Sequence, residues 1–184
     1  VAAMDVGLLC GSRGERSANA AILQVAAARL ERAGHAAHRI EFIESMPPFD
    51  PALVDDPPAE VARFQRDVRS CDVLLVAAPE YAAGVAGTTK NALDWLVGDA
   101  TIYRMSVGVA SAGTTGGSHA VEQLVRTISW QGGWVVATLG VAAPRTKSDE
   151  HGNYTDGATL TEIAEWVDAV VGAAEGTGAD RLSL

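Results

Sequence analysis

Residues 73–96 read "VLLVAAPEYAAGVAGTTKNALDWL". The apolar run Val73 to Ala78 has no polar interruption, the mark of a strand covered on both faces, as in a parallel sheet. After Pro79 comes a stretch of small residues with a single aromatic, Tyr81. A helix then begins at Lys90, Asn91 and Asp94, with Leu93, Leu96 and Val97 forming its inner face. A chain that leaves a buried strand through such a segment makes either an ordinary turn or a shelf for a flat ligand.

Working outward, "VGLLC" (Val6 to Cys10), "MSVGVA" (Met105 to Ala110) and "WVVATL" (Trp134 to Leu139) read as further strands buried on both faces. "AHRIEFI" (Ala37 to Ile43) alternates, with Ile40 and Phe42 on one side and Arg39 and Glu41 on the other, which suits an edge strand. Helices fall between. Ile22, Val25, Ala26 and Leu30 mark one that stops at Gly34, a good left-handed C-terminal residue. Val61, Phe64 and Val68 mark a second, after "MPPFDPALVDDPP", where no regular structure is expected. Val121, Leu124, Val125 and Ile128 mark another, and Leu160, Ile163, Val167, Val170 and Val171 a last. Strand and helix in alternation define an α/β doubly wound domain. Residues 1–174 are expected to form it, with 175–184 as a loosely held tail.

At 184 residues the chain suits one domain with a sizeable core. Its formal net charge of -9 argues against a nucleic-acid partner, which demands a basic surface. No apolar run approaches the roughly 20 residues a membrane helix needs, and the N-terminal residues lack a signal-peptide pattern. Cys10 and Cys71 are far apart and read as buried thiols of a cytoplasmic protein rather than a disulfide or a redox pair. His35, His38, His119 and His151 show no metal-ligand spacing, so no metal is expected.

In an open parallel sheet the ligand crevice lies beyond the C-terminal strand ends, at the switch in strand order. Three loops belong there: "GSRGERSAN" (11–19), "PEYAAGVAGTTKN" (79–91) and "SAGTTGG" (111–117). In the first, Ser12, Ser17, Asn19 and a nearby arginine crowd donors into a strand-to-helix turn, where backbone N–H groups and the helix dipole favour an anion. Ser17 as a simple helix cap is the plainer alternative. Neither GxxxxGK[ST] nor GxGxxG is present, so a mononucleotide with one phosphate fits better than a nucleoside triphosphate. In the second loop, backbone beside Ala82, Ala83 and Gly84 can approach a flat ring closely. Tyr81 either stacks on that ring or packs the sheet edge. Glu80 reads as structural, bonded to backbone or to a partner subunit, and Lys90 as a solvated charge. In the third, His119 reads as a satisfied structural histidine.

These segments, in this order and spacing, resemble the NADPH-dependent FMN reductases of flavodoxin-like fold, a group that includes quinone, azo-dye and metal-ion reductases. The P-E-Y-N-x-S-x-P-G-x-L-K-N-A-I-D-W pattern is matched at Pro79, Glu80, Tyr81, Gly87, Lys90, Asn91, Ala92, Asp94 and Trp95. G-S-x4-S-x-N is matched at Gly11, Ser12, Ser17 and Asn19. The resemblance implies a five-stranded parallel sheet of order 2-1-3-4-5 with helices on both faces. It implies FMN phosphate on Ser12, Arg13, Ser17, Ala18 and Asn19. The isoalloxazine would lie against Pro79, Glu80, Tyr81, Ala82, Ala83 and Gly84, with Ser111 and Gly113 at its edge. NAD(P)H is implied as co-substrate, a small-molecule electron acceptor as partner, and a homodimer, with tetramers left open.

The chain departs from the pattern at Ala82 (asparagine in the family), Gly84 (serine), Ala86 (proline) and Thr89 (leucine). Gly14 stands where the phosphate-loop arginine belongs, between Arg13 and Arg16. Each lost hydrogen bond costs about 0.5–1.5 kcal/mol of flavin affinity, so weakened FMN binding is expected. The expectation is a ping-pong FMN-dependent NAD(P)H oxidoreductase in which the cofactor carries the chemistry and no catalytic side chain is assigned. Two alternatives remain: a degenerate flavin-free binding or regulatory module, and a flavodoxin-type electron carrier.

Overall fold

The structure is a computed structural model and describes residues 2–14, 17–41, 43, 45–98 and 100–181. In chain order the elements are β1 (Asp5–Cys10), α1 (Ala18–Arg32), β2 (Ala36–Ile40), α2 (Ala59–Arg69) and β3 (Val73–Ala77). A short hairpin follows, β4 (Glu80–Tyr81) and β5 (Gly84–Val85). Then come α3 (Gly87–Asp94), β6 (Ser106–Gly113), α4 (Ser118–Trp130), β7 (Trp134–Ala142) and α5 (Gly157–Arg181).

The main sheet has the order β2-β1-β3-β6-β7, with every pairing parallel. With the hairpin set aside, this is the flavodoxin-like order 2-1-3-4-5 expected from the resemblance. Two apolar layers sandwich the sheet. One holds Val61, Phe64 and Val68 of α2 with Leu93, Trp95, Leu124 and Ile128. The other holds Ile22, Ala26 and Leu30 of α1 with Ile163, Val167 and Val170 of α5. Each large aliphatic or aromatic side chain so buried is worth about 1.5–3 kcal/mol.

Local chemistry fixes the ends of α1. The Ser17 Oγ accepts from the N–H groups of Asn19 and Ala20. At the other end Gly34 adopts φ +86°, with its N–H on the Glu31 carbonyl and the His35 N–H on that of Leu30. That is the left-handed C-terminal closure predicted for Gly34. The segment 46–58 contains only one 3-10 turn, Pro51–Leu53. The helical backbone of α5 reaches Arg181, inside the segment expected to be loose.

Some expectations need correction. β7 is not buried on both faces. It stands at the end of the sheet with β6 as its neighbour, and from Val136 onward exposure alternates along it. Leu139 and Val141 face the layer shared with α5, while Val136, Thr138 and Gly140 are exposed. Val97 does not join the inner face of α3. That helix ends at Asp94, so Val97 falls out of phase and is 55% exposed. β6 runs past Ala110 to Gly113, so Ser111, Ala112 and Gly113 are strand rather than loop. β2 ends at Ile40, which is buried as expected, and Phe42 lies outside the described residues.

Candidate functional site

β1 pairs with β2 on one side and β3 on the other. The connection from β1 therefore leaves in one direction and the one from β3 in the other, and a crevice opens between their C-terminal ends. A cleft of about 590 Å³ occupies that place. Gly11, Ser12, Arg13, Gly14 and Ser17 form one wall, and Tyr81, Ala86, Gly87 and Thr88 the other.

The walls meet at Gly11. Its N–H donates to the Ala77 carbonyl at 2.8 Å, tying the loop to the end of β3. A Cβ at Gly11 would lie only 2.7 Å from the Ala78 Cβ and would collide with Thr89 Oγ1. Thr89, one of the departures from the family pattern, is fully buried, and its hydroxyl has no partner. A threonine in place of a leucine thus leaves a buried polar atom unsatisfied beside Gly11, at a cost of about 1–3 kcal/mol.

Two helices begin at this cleft. α1 starts at Ala18, one residue beyond the lining residue Ser17, and α3 starts at Gly87, itself in the wall. Both present the positive end of a helix dipole. Among the described residues, the lining includes Arg13 and no carboxylate, whereas the chain as a whole carries -9. Hydroxyls, a guanidinium and two helix N-termini form a donor set suited to one phosphate group.

Of the residues expected around the cofactor, the structure brings Ser12, Arg13, Ser17 and Tyr81 together in the walls. Asn19 is 3% exposed, and its amide is committed to the protein's own backbone: Oδ1 accepts from the Ala112 N–H at 2.8 Å and Nδ2 donates to the Ala112 carbonyl at 3.4 Å. That pair stitches α1 to the end of β6. The Ser111 hydroxyl is buried and unpartnered, packed where a Cβ on Gly117 would collide with it. Gly113 accepts the N–H groups of Gly116 and Ala143, closing the turn after β6.

The segment after Pro79 is a hairpin. Glu80 pairs with Val85 and Tyr81 with Gly84, and the Ala86 N–H closes its base on the Pro79 carbonyl. Ala82 and Ala83 form the two-residue connection at φ +50° and +56°. Both belong to the left-handed region, as in a type I′ turn, where alanine costs about 1–2 kcal/mol per residue. The asparagine expected at position 82 tolerates that conformation better. The turn is exposed, and Tyr81 is 65% exposed at the cleft's rim.

Glu80 is structural, as read from the sequence: Oε2 accepts the backbone N–H groups of His119 and Ala120 at 2.8 and 3.1 Å, capping α4. Lys90 pairs with Asp94 at 2.6 Å along α3. Sequence reasoning missed Gly87 and Thr88 as cleft residues, although they open the helix that follows the shelf. It also missed Gln123, whose Oε1 accepts the Val85 N–H at 2.8 Å.

The model of the NADPH-dependent FMN reductase family matches residues 4–148, and the chain belongs to that family of oxidoreductases. Among its relatives, a probable NADPH:quinone oxidoreductase 2 of Oryza sativa is 32% identical over 129 residues, 66% of this chain and 63% of that protein. An NAD(P)H-dependent FMN reductase of Pseudomonas aeruginosa is 54% identical over 39 residues, 21% of this chain and 20% of the other. The chain thus matches less than two thirds of the length of either relative. The fold is similar to that of FerB, a flavoenzyme NAD(P)H:(acceptor) oxidoreductase from Paracoccus denitrificans. TM-score is 0.77 at 23% identity, over 94% of this chain and 98% of the other.

Proposed function

We infer that the chain is an FMN-dependent NAD(P)H oxidoreductase that reduces a small acceptor: a quinone, an azo compound, a metal ion or free flavin. The observation that carries this reading is the cleft at the sheet's switch point, where Arg13, Ser12 and Ser17 stand between two helix N-termini.

The residues present fit a phosphate joined to a planar group. Ser12, Ser17 and Arg13 would hold the phosphate, with the dipoles of α1 and α3 opposing its charge. The hairpin from Glu80 to Val85 has no large side chain at its tip, so its backbone would face the ring closely. Tyr81 would cover the ring's edge and exclude water. Bound FMN supplies the hydride-accepting and hydride-donating chemistry. NAD(P)H and the acceptor would share this cleft and occupy it in turn, which is a ping-pong order. The exposed hairpin leaves one side of the cleft open, and a second copy of the chain closing it is the assembly we propose. The cytoplasm, which supplies NAD(P)H and keeps thiols such as Cys10 and Cys71 reduced, is the proposed setting.

Specific observations favour a flavin-poor variant of this reading. The Asn19 amide and the Ser111 hydroxyl are turned to the protein itself, and Ala82 and Gly84 offer no side-chain donor. The visible absorption spectrum, recorded with and without added FMN and then with NADPH under anaerobic conditions, separates the two. Flavin bands that bleach with NADPH support the reductase. Bound flavin that NADPH leaves oxidised removes the nicotinamide half of the proposal. Protein that stays colourless in excess FMN favours the flavin-free reading.

A further inference from the structure

The hairpin β4–β5 has two residues in each strand and a left-handed Ala82-Ala83 turn. An isolated pair of strands that short is not stable in water, and alanine does not favour the turn's backbone. Something outside the hairpin must hold it. Two side chains link it to α4: Glu80, which caps that helix, and Gln123, one turn further along, whose Oε1 accepts the Val85 N–H at 2.8 Å.

The Gln123 amide also fills the space beside position 84. A Cβ on Gly84 would lie 2.7 Å from Gln123 Oε1, closer than real contacts allow. The glycine at 84 and the glutamine at 123 therefore fit as a pair, in which the glutamine reaches the hairpin backbone because residue 84 has no side chain. Gln123 is half-buried and lies outside the cleft walls.

We propose that Gln123 is a positioning residue for the flavin shelf: acting through Val85, it fixes the Ala82-Ala83 turn in the shape the cofactor ring rests against, in place of the side chains that positions 82 and 84 lack. The proposal rests on the FMN reading. Holding the turn before the ligand arrives spares the complex the cost of ordering it, the general benefit of preorganisation.

The test uses hydrogen exchange of the Val85 amide in flavin-free protein together with FMN titration by fluorescence quenching. The proteins are wild type, Q123A, Q123E and G84A. G84A displaces the glutamine from the hairpin side, so it carries the test if Q123A fails to fold. Q123A and G84A are expected to speed Val85 exchange about tenfold and to raise the FMN dissociation constant about five- to tenfold, the worth of one hydrogen bond. Q123E keeps an acceptor oxygen in reach and returns both quantities to within about threefold of wild type. Combining Q123A with G84A adds nothing further, since both break the same bond. Fast Val85 exchange with unchanged FMN affinity overturns the positioning role and leaves Gln123 as packing. Unchanged exchange in Q123A overturns its hold on the hairpin. Wild-type protein that takes up no FMN instead overturns the flavin reading on which the proposal stands, whatever Val85 does.

Discussion

The two walls of the cleft are built in opposite ways. The first, Gly11 to Ser17, leads into a helix capped by its own neighbour: the Ser17 hydroxyl reaches residues two and three positions ahead. The second includes Tyr81 of the hairpin, which is held by a helix whose contacting residues lie 38 to 40 positions away. The first wall combines that local cap with two distant ties, Gly11 to Ala77 and Asn19 to Ala112, whereas the hairpin leans on α4. A site whose two walls are held so differently will lose its ligand by different routes when each is damaged.

The largest effect is expected where the walls touch. Gly11→Ala drives a Cβ into Thr89 Oγ1 and against Ala78. Overpacking of this kind costs about 1–3 kcal/mol, and thermal unfolding should register it as a clear fall in Tm accompanied by loss of FMN uptake. Intact stability with lost uptake would mean that the walls move independently.

Next comes the stitch behind the first wall. Asn19→Ala removes both hydrogen bonds to Ala112 and strands a buried N–H, at about 2 kcal/mol. Urea denaturation measures the cost. A change below about 0.5 kcal/mol would show that the first wall does not lean on β6.

A smaller effect of opposite sign is expected in the hairpin. Ala83→Gly relieves one left-handed alanine at φ +56° and should stabilise the fold by about 1 kcal/mol. Differential scanning calorimetry would show a raised Tm. Destabilisation instead would mean that the alanine methyl packs something worth more than the strain.

At neutral pH the smallest effect belongs to Tyr154, which lies in the groove between α1 and α5. Its buried, unpartnered hydroxyl has its pKa pushed up to about 12 by desolvation, from an ordinary value of 10. The folded state therefore keeps a proton that the unfolded chain releases first. The stability this supports is fully present below pH 10 and is lost as pH rises through about 12, at up to about 1.4 kcal/mol per pH unit in that window. Tyr154→Phe should flatten that alkaline limb in denaturation curves taken from pH 9 to 12. An unchanged limb would assign the loss to another group.

These contrasts also explain what could be read in advance. The apolar runs of β1, β3 and β6 are legible because a strand covered on both faces has no position to give to a polar side chain. The same reasoning overreached at β7, where the run is apolar but the strand stands at the sheet's edge. The hairpin was hidden because its strands are too short for periodicity. Its turn is Ala-Ala, where Asn-Gly would have announced it. Asn19 offered a polar side chain at the right end of the sheet, and nothing nearby in sequence reveals that the Ala112 backbone claims it.

The sequence alone determined the alternation of strand and helix, the closing glycine at 34 and the three small-residue segments at one end of the sheet. Those follow from interactions within a few residues, or from hydrophobic patterning that any solvent exposure would penalise. Only the tertiary structure decided that Glu80 and Gln123 support the hairpin, that Asn19 and Ser111 turn inward, and that Thr89 closes on Gly11. Each of these depends on two segments distant in sequence meeting within hydrogen-bond or contact range. That meeting is set by how the helices pack on the sheet, and no local preference encodes it.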